Sequence, residues 1–159
     1  MNEISTAINE DLLRYQAHRL QDLIAEMLKC CEDRKLYESG KFALPYAELK
    51  CLMLFDGQRY LTAKGIAQKL EVAKSRVTKL VNGLIEKGLV EQIDDPRDAR
   101  IKLISLTPAG QKKSEEIGAF QRELHRKILL QMDVEERKNM LSYLELLRSA
   151  MEAVKEDFV

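Results

Sequence analysis

The chain lacks any apolar run approaching the roughly 18 residues needed to span a bilayer. With that absence, and with an acidic opening, Met1-Asn2-Glu3, unlike a secretory leader, the expected compartment is the cytoplasm and no membrane partner is expected. Cysteine is sparse: Cys30, Cys31 and Cys51 give neither the even framework of a secreted domain nor a metal-binding CxxC pair, so they read as reduced thiols. The two histidines, His18 and His125, are far apart, and no group of His, Cys, Asp or Glu has ligand spacing. No metal or other cofactor is expected. There is no phosphate-cradling glycine loop, no paired-carboxylate site and no arrangement of a catalytic triad, which argues against an enzyme. Internal repeats and low-complexity segments are absent too. Net charge is zero, 26 basic against 26 acidic residues, which on its face disfavours a nucleic-acid partner.

The distribution of charge reverses that inference. Between Thr62 and Lys113 there are 11 Lys and Arg against 6 Asp and Glu, while the remainder has 15 against 20. A basic middle between acidic ends is the footprint of one face that meets phosphate and a surface that only keeps the chain dispersed. At 159 residues the chain is the size of one domain, or of two intimately shared ones, and can bury a real core.

The basic middle also carries the clearest local patterns. Val77, Leu80, Val81 and Leu84 recur at helical spacing and predict an amphipathic helix over Lys74–Lys87, stopped by Gly88. Its other face offers Lys74, Ser75, Arg76, Thr78, Lys79 and Asn82, short polar and long basic groups of the kind that reach base edges and phosphates in a major groove. Ala73 stands where a capping Ser or Asp is usual, at a cost of about 1 kcal/mol. Upstream, Thr62 is placed to cap a short helix over Ala63–Leu70, and a link of about three residues between two short helices is a helix-turn-helix pattern. Downstream, the strand-like runs 89–93 and 101–106 flank the polar turn 94–100, which places Arg97 and Arg100 to enter a minor groove. Thr107-Pro108 then opens a new helix.

The ordered series Lys74-Ser75-Arg76-Val77-Thr78-Lys79-Leu80-Val81, Leu84-Ile85-Glu86-Lys87-Gly88-Leu89-Val90, Asp95-Pro96-Arg97-Asp98-Ala99-Arg100 and Leu106-Thr107-Pro108-Ala109-Gly110 resembles the core of the MarR family of bacterial transcription regulators. The resemblance is strong over the middle third of the chain and looser in the helical flanks. It implies a mainly α fold: a winged helix-turn-helix core with a two-stranded wing, and a helical dimerisation module made from the N- and C-terminal helices. It also implies that Asp98 pairs with Arg100 and directs it from the wing. The expected function is a homodimeric regulator, a repressor, of a pseudo-palindromic operator in double-stranded DNA, released by a small lipophilic or phenolic effector.

The flanking segments fit that layout. Ile4, Ile8, Leu12, Leu20, Leu23, Ile24, Met27, Leu28 and Cys31 predict a long first helix to about Glu32, followed by a polar connector over 34–43. Pro45 opens a second helix that ends near Asp56-Gly57. Ile117, Phe120, Leu124 and Ile128 continue the helix after Gly110, and Asp133 starts a last one whose Met140, Leu144, Leu147, Met151 and Val154 repeat in near-heptad steps. The domain expectation is therefore 1–43 and 108–159 for the dimerisation module and 44–107 for the DNA-binding core. Two alternatives stay open. One is a thiol-based redox regulator using Cys30 or Cys31 near Lys29 and Arg34, although this chain lacks the cysteine near the start of the first helix by which that branch of the family is known. The other is a winged-helix protein-interaction module without DNA binding.

Overall fold

A computed structural model describes residues 2–158, with side chains from Asn9 onward, so the expected apolar positions Ile4 and Ile8 lie outside the described side chains. Within that range the elements are α1 (Asn2–Phe42), α2 (Tyr46–Met53), β1 (Leu61–Thr62), α3 (Ala63–Leu70), α4 (Lys74–Glu86), β2 (Val90–Asp94), β3 (Lys102–Leu106), α5 (Pro108–Leu129) and α6 (Val134–Lys155), closed by a 3-10 turn, Glu156–Phe158. The chain is mainly helical with a small winged-helix sheet. It divides between Lys113 and Ser114 into two compact units.

The first unit holds the core. Leu49, Leu52, Phe55, Ile66, Val77, Leu84 and Ile104 are essentially inaccessible, and α4 packs on both α2 and α3. Each such side chain contributes about 1.5–3 kcal/mol by leaving water. α3 begins as its sequence requires, with Thr62 Oγ1 accepting the Gly65 N–H at 2.9 Å. It ends at Glu71, whose φ of 54° lets the Val72 N–H return to the Ala67 carbonyl at 3.1 Å and turns the chain into α4. Ala73, as expected, gives α4 no side-chain cap.

The sheet order is β1-β3-β2. β2 and β3 form the antiparallel wing hairpin, in register from Val90↔Leu106 to Asp94↔Lys102. β1 adds a third strand to the expected two, pairing Leu61↔Ile104 and Thr62↔Leu103. Two residues are too few to show a strand period. At the base of the wing, Gly88 turns with φ 70°, and the Thr107 hydroxyl donates to the Gly88 carbonyl at 2.6 Å while accepting the Gly110 N–H at 3.0 Å. Gly110 lies so close to the Leu89 carbonyl that a β-carbon there would collide with it.

Two boundaries differ from expectation. The polar connector over 34–43 does not exist as a loop, because α1 continues to Phe42. Glu38 and Phe42, one turn apart, are buried and keep that face of the helix in the fold, which outweighs the roughly 1 kcal/mol that exposed Gly40 costs relative to alanine. The helix stops at Ala43, φ 52°, where the Leu44 N–H bonds back to the Ser39 carbonyl at 3.1 Å. α2 ends at Met53 rather than near Asp56-Gly57, and Pro45 caps it from just outside. Buried Phe55 belongs to the turn that follows, in which Leu54 and Phe55 donate to carbonyls three residues back.

In the second unit, α6 opens with a reciprocal cap: the Asp133 carboxylate accepts the Glu136 N–H at 2.9 Å and the Glu136 carboxylate accepts the Asp133 N–H at 2.8 Å. Arg137 Nε donates to the Leu129 and Met132 carbonyls at 2.8 and 3.0 Å, closing the link from α5. No residue of α6 is fully buried, and Leu141, Tyr143, Leu144, Leu146, Met151 and Val154 are exposed. α1 likewise exposes Leu12, Leu13, Tyr15, Leu20, Leu23, Met27 and Leu28. No helix among the described residues is long and apolar enough to cross a membrane.

Candidate nucleic-acid interface

The amphipathic division of α4 sets the first surface. Val77, Leu80, Val81 and Leu84 are buried, and Lys74, Ser75, Arg76, Thr78, Lys79 and Asn82 are all exposed. Ser75, Lys79 and Asn82, at steps of four and three, stand in one row along the helix. The Thr78 hydroxyl donates to the Lys74 carbonyl at 3.2 Å, which leaves its oxygen free to accept. No acid lies in the first turn, while Lys74 and Arg76 do. Cations at the positive end of a helix dipole are unfavourable alone and suit a nearby anion.

The wing turn supplies the second surface. The Asp95 N–H donates to the Ile101 carbonyl at 3.0 Å, and Asp95 Oδ1 accepts the Arg97 N–H at 2.8 Å, so the turn is fixed by its own polar groups. Asp98 then grips Arg100 three times: Oδ1 accepts the Arg100 backbone N–H and Nε, each at 3.0 Å, and Oδ2 accepts Nη2 at 3.0 Å. These bonds from the Arg100 side chain, then from its backbone, hold the Asp98 carboxyl below the usual carboxylate range, and Asp98 in turn raises the Arg100 guanidinium. The Arg100 side chain is nevertheless 91% exposed. It is therefore aimed without being used up, with three of its five N–H groups still available. Arg97 is exposed and forms no ion pair among the described residues.

All three cysteines are free thiols. Cys30 is exposed and Cys31 half-buried, both inside α1 rather than at its end, and Cys51 is buried in α2. Burial, and then the Glu48 carboxylate, push the Cys51 thiol from 9.0 up to about 11. Among the described residues no group of His, Cys, Asp and Glu could hold a metal ion.

One polar contact escaped the sequence reading. Lys87 Nζ donates to Glu48 Oε2 at 2.7 Å, joining α2 to the end of α4 across 39 residues. Its only trace in sequence is a charged residue, Glu48, inside the apolar body of α2.

Residues 44–101, from the lead-in to α2 through the wing turn, match the sequence model of the MarR family. Over that stretch the chain is similar to the MarR family. The chain is 24% identical over 156 residues to the HTH-type transcriptional regulator YfiV of Bacillus subtilis, covering 96% of each. It is 31% identical over 78 residues to the transcriptional regulator AdcR of Streptococcus pneumoniae, a match covering 49% of this chain and 53% of AdcR. The chain thus spans about half the length of AdcR in that match and nearly all of YfiV. Its fold resembles a variant of S. aureus MepR, with a TM-score of 0.75 at 22% identity over 82% of this chain and 97% of that one. A second MepR variant, solved bound to an oligodeoxyribonucleotide, superposes with a TM-score of 0.61 at 22% identity, covering 83% and 97%. A MepR-like protein complexed with pseudoligands gives 0.58 at 26% identity, covering 84% and 94%. These curated relatives are transcription regulators, not enzymes.

Proposed function

We propose that this chain is a homodimeric repressor of the MarR family that binds a pseudo-palindromic operator in double-stranded DNA. The observation that carries the reading is Arg100, held in one direction by a bidentate Asp98 yet almost wholly open to solvent. A surface arginine oriented at that expense is ready for an anionic groove. α4 would enter the major groove with Lys74, Ser75, Arg76, Thr78, Lys79 and Asn82, and Arg97 and Arg100 would reach the adjacent minor groove. Support comes also from the MepR variant solved with an oligodeoxyribonucleotide.

A second copy would cover the apolar side chains left exposed on α1 and on α6, and would set the two recognition helices about one helical turn of DNA apart. A small lipophilic or phenolic effector would act by favouring a different spacing of the two heads. The MepR-like protein complexed with pseudoligands makes ligand control a reasonable extension.

Selection from a random duplex library tests the reading. Recovery of an inverted repeat supports it. Enrichment of nothing, with only featureless weak binding, favours the interaction module instead.

A further inference from the structure

Glu48 is an acid on a face of α2 where its neighbours Leu49, Cys51 and Leu52 are all buried, and it is itself only 8% exposed. Its two oxygens touch α4 differently. Oε2 accepts from Lys87, the residue that caps the end of α4, at 2.7 Å. Oε1 occupies the space beside Gly83, where a β-carbon would have to displace the carboxylate. Two local preferences are set aside to make this contact. An apolar residue at 48 would pack without the cost of taking a carboxylate largely out of water beside a Lys87 side chain that stays 39% exposed, and an alanine at 83 would favour the helix more than glycine does. Both departures meet at the same carboxylate.

We propose that Glu48, Lys87 and Gly83 form a clamp that sets the angle of α4 on α2 and thereby the sequence discrimination of the recognition helix; its functional half rests on the DNA-binding reading above. The apolar stripe of α4 supplies attraction but little direction, since hydrophobic burial is non-directional and permits small rotations. A carboxylate held by one ammonium and seated against helix backbone is directional. Lys87 lies just past the end of α4, whereas Lys74, Ser75, Arg76, Thr78 and Lys79 lie in its first half. Arg76 precedes Lys87 by 11 positions, about 16 Å along a helix rising 1.5 Å per residue. A rotation of about 5° at the clamp would carry Arg76 roughly 1.5 Å sideways, beyond what a bidentate base contact tolerates. Phosphate contacts from flexible lysine stems would adjust to the same movement. Glu48, Lys87 and Gly83 are therefore positioning residues that act on selectivity more than on total binding.

The test compares Lys87→Met, Gly83→Ala and the conservative Lys87→Arg with the unaltered full chain. Gly83→Ala is the informative one, because it changes no charge and improves helix propensity. Affinities are measured for the inverted repeat recovered by selection and for a scrambled duplex of equal length, with thermal unfolding in parallel. Residual dipolar couplings of α2 and α4 amides report the interhelical angle without DNA. Lys87→Met and Gly83→Ala are expected to lose at least about tenfold in affinity for the repeat and less than about twofold for the scrambled duplex, while Lys87→Arg stays within about threefold on both. The couplings should show α4 rotated in the first two variants and in place in the third. An unchanged α4 angle, or equal losses on both duplexes that follow the unfolded fraction, overturns the clamp. If the unaltered chain itself shows no preference for any duplex while α4 still rotates in the variants, the clamp stands and the DNA-binding reading fails.

Discussion

Arg100 separates binding from stability at a single position. Its side chain sits on an exposed turn whose backbone is fixed by Asp95 and Asp98, so Arg100→Ala should leave the melting temperature within a degree or two. Loss of one groove contact should weaken operator binding by about 1–3 kcal/mol, read by titration at matched salt. Unchanged affinity would sink the wing assignment. Glu38 acts in the opposite sense: it is fully buried, and neither carboxylate oxygen has a hydrogen-bond partner among the described residues. Glu38→Met should stabilise the fold by about 1–3 kcal/mol in denaturant unfolding, because it removes a buried, unsatisfied polar group. At Cys51 the folded thiol titrates near 11 and the unfolded one near 9.0. Between those values the native chain keeps a proton that the unfolded chain has released, so stability should fall as pH rises through that window, and Cys51→Ala should flatten the slope. The exposed face of α4 was legible because periodicity alone divides polar from apolar. Glu38 and Glu48 were not, since burial of an acid depends on elements distant in sequence.

At the scale of elements, the winged core was readable where local chemistry decides the structure. Thr62 and Thr107 both cap as their side chains suggest, and Gly88 turns the chain after α4. The failures lie where packing overrides composition. Residues 34–43 look like a connector because they are polar and contain Gly40, yet α1 runs through them once Glu38 and Phe42 are drawn inside. β1 needs β3 beside it to exist. Gly110 was legible as part of a motif but not as a contact; its hydrogen atom is what allows α5 to start against the Leu89 carbonyl. Gly110→Ala should therefore cost about 1–3 kcal/mol or more despite its better helix propensity, with hydrogen exchange rising first at the base of the wing. A neutral or stabilising effect would contradict the close approach.

For the whole molecule, the question is what covers the exposed apolar side chains of α1 and α6. Leu144 and Leu147 line both apolar grooves along α6, one extending to Met151 and Phe158 and the other to Met132 and Met140. If a second copy fills them, Leu144→Lys should convert a dimer to a monomer in sedimentation velocity and abolish tight operator binding, while the first unit stays folded by circular dichroism. A monomeric unaltered chain would remove the basis for two half-sites. The decisive measurement is a titration of the selected repeat and of a scrambled duplex, followed by fluorescence anisotropy from about 50 to about 200 mM salt. Operator binding by two chains per duplex, at least about a thousandfold tighter than to the scrambled duplex and falling steeply as counterions compete, is the expected result. Equal affinity for the two duplexes, or binding indifferent to salt, would contradict it.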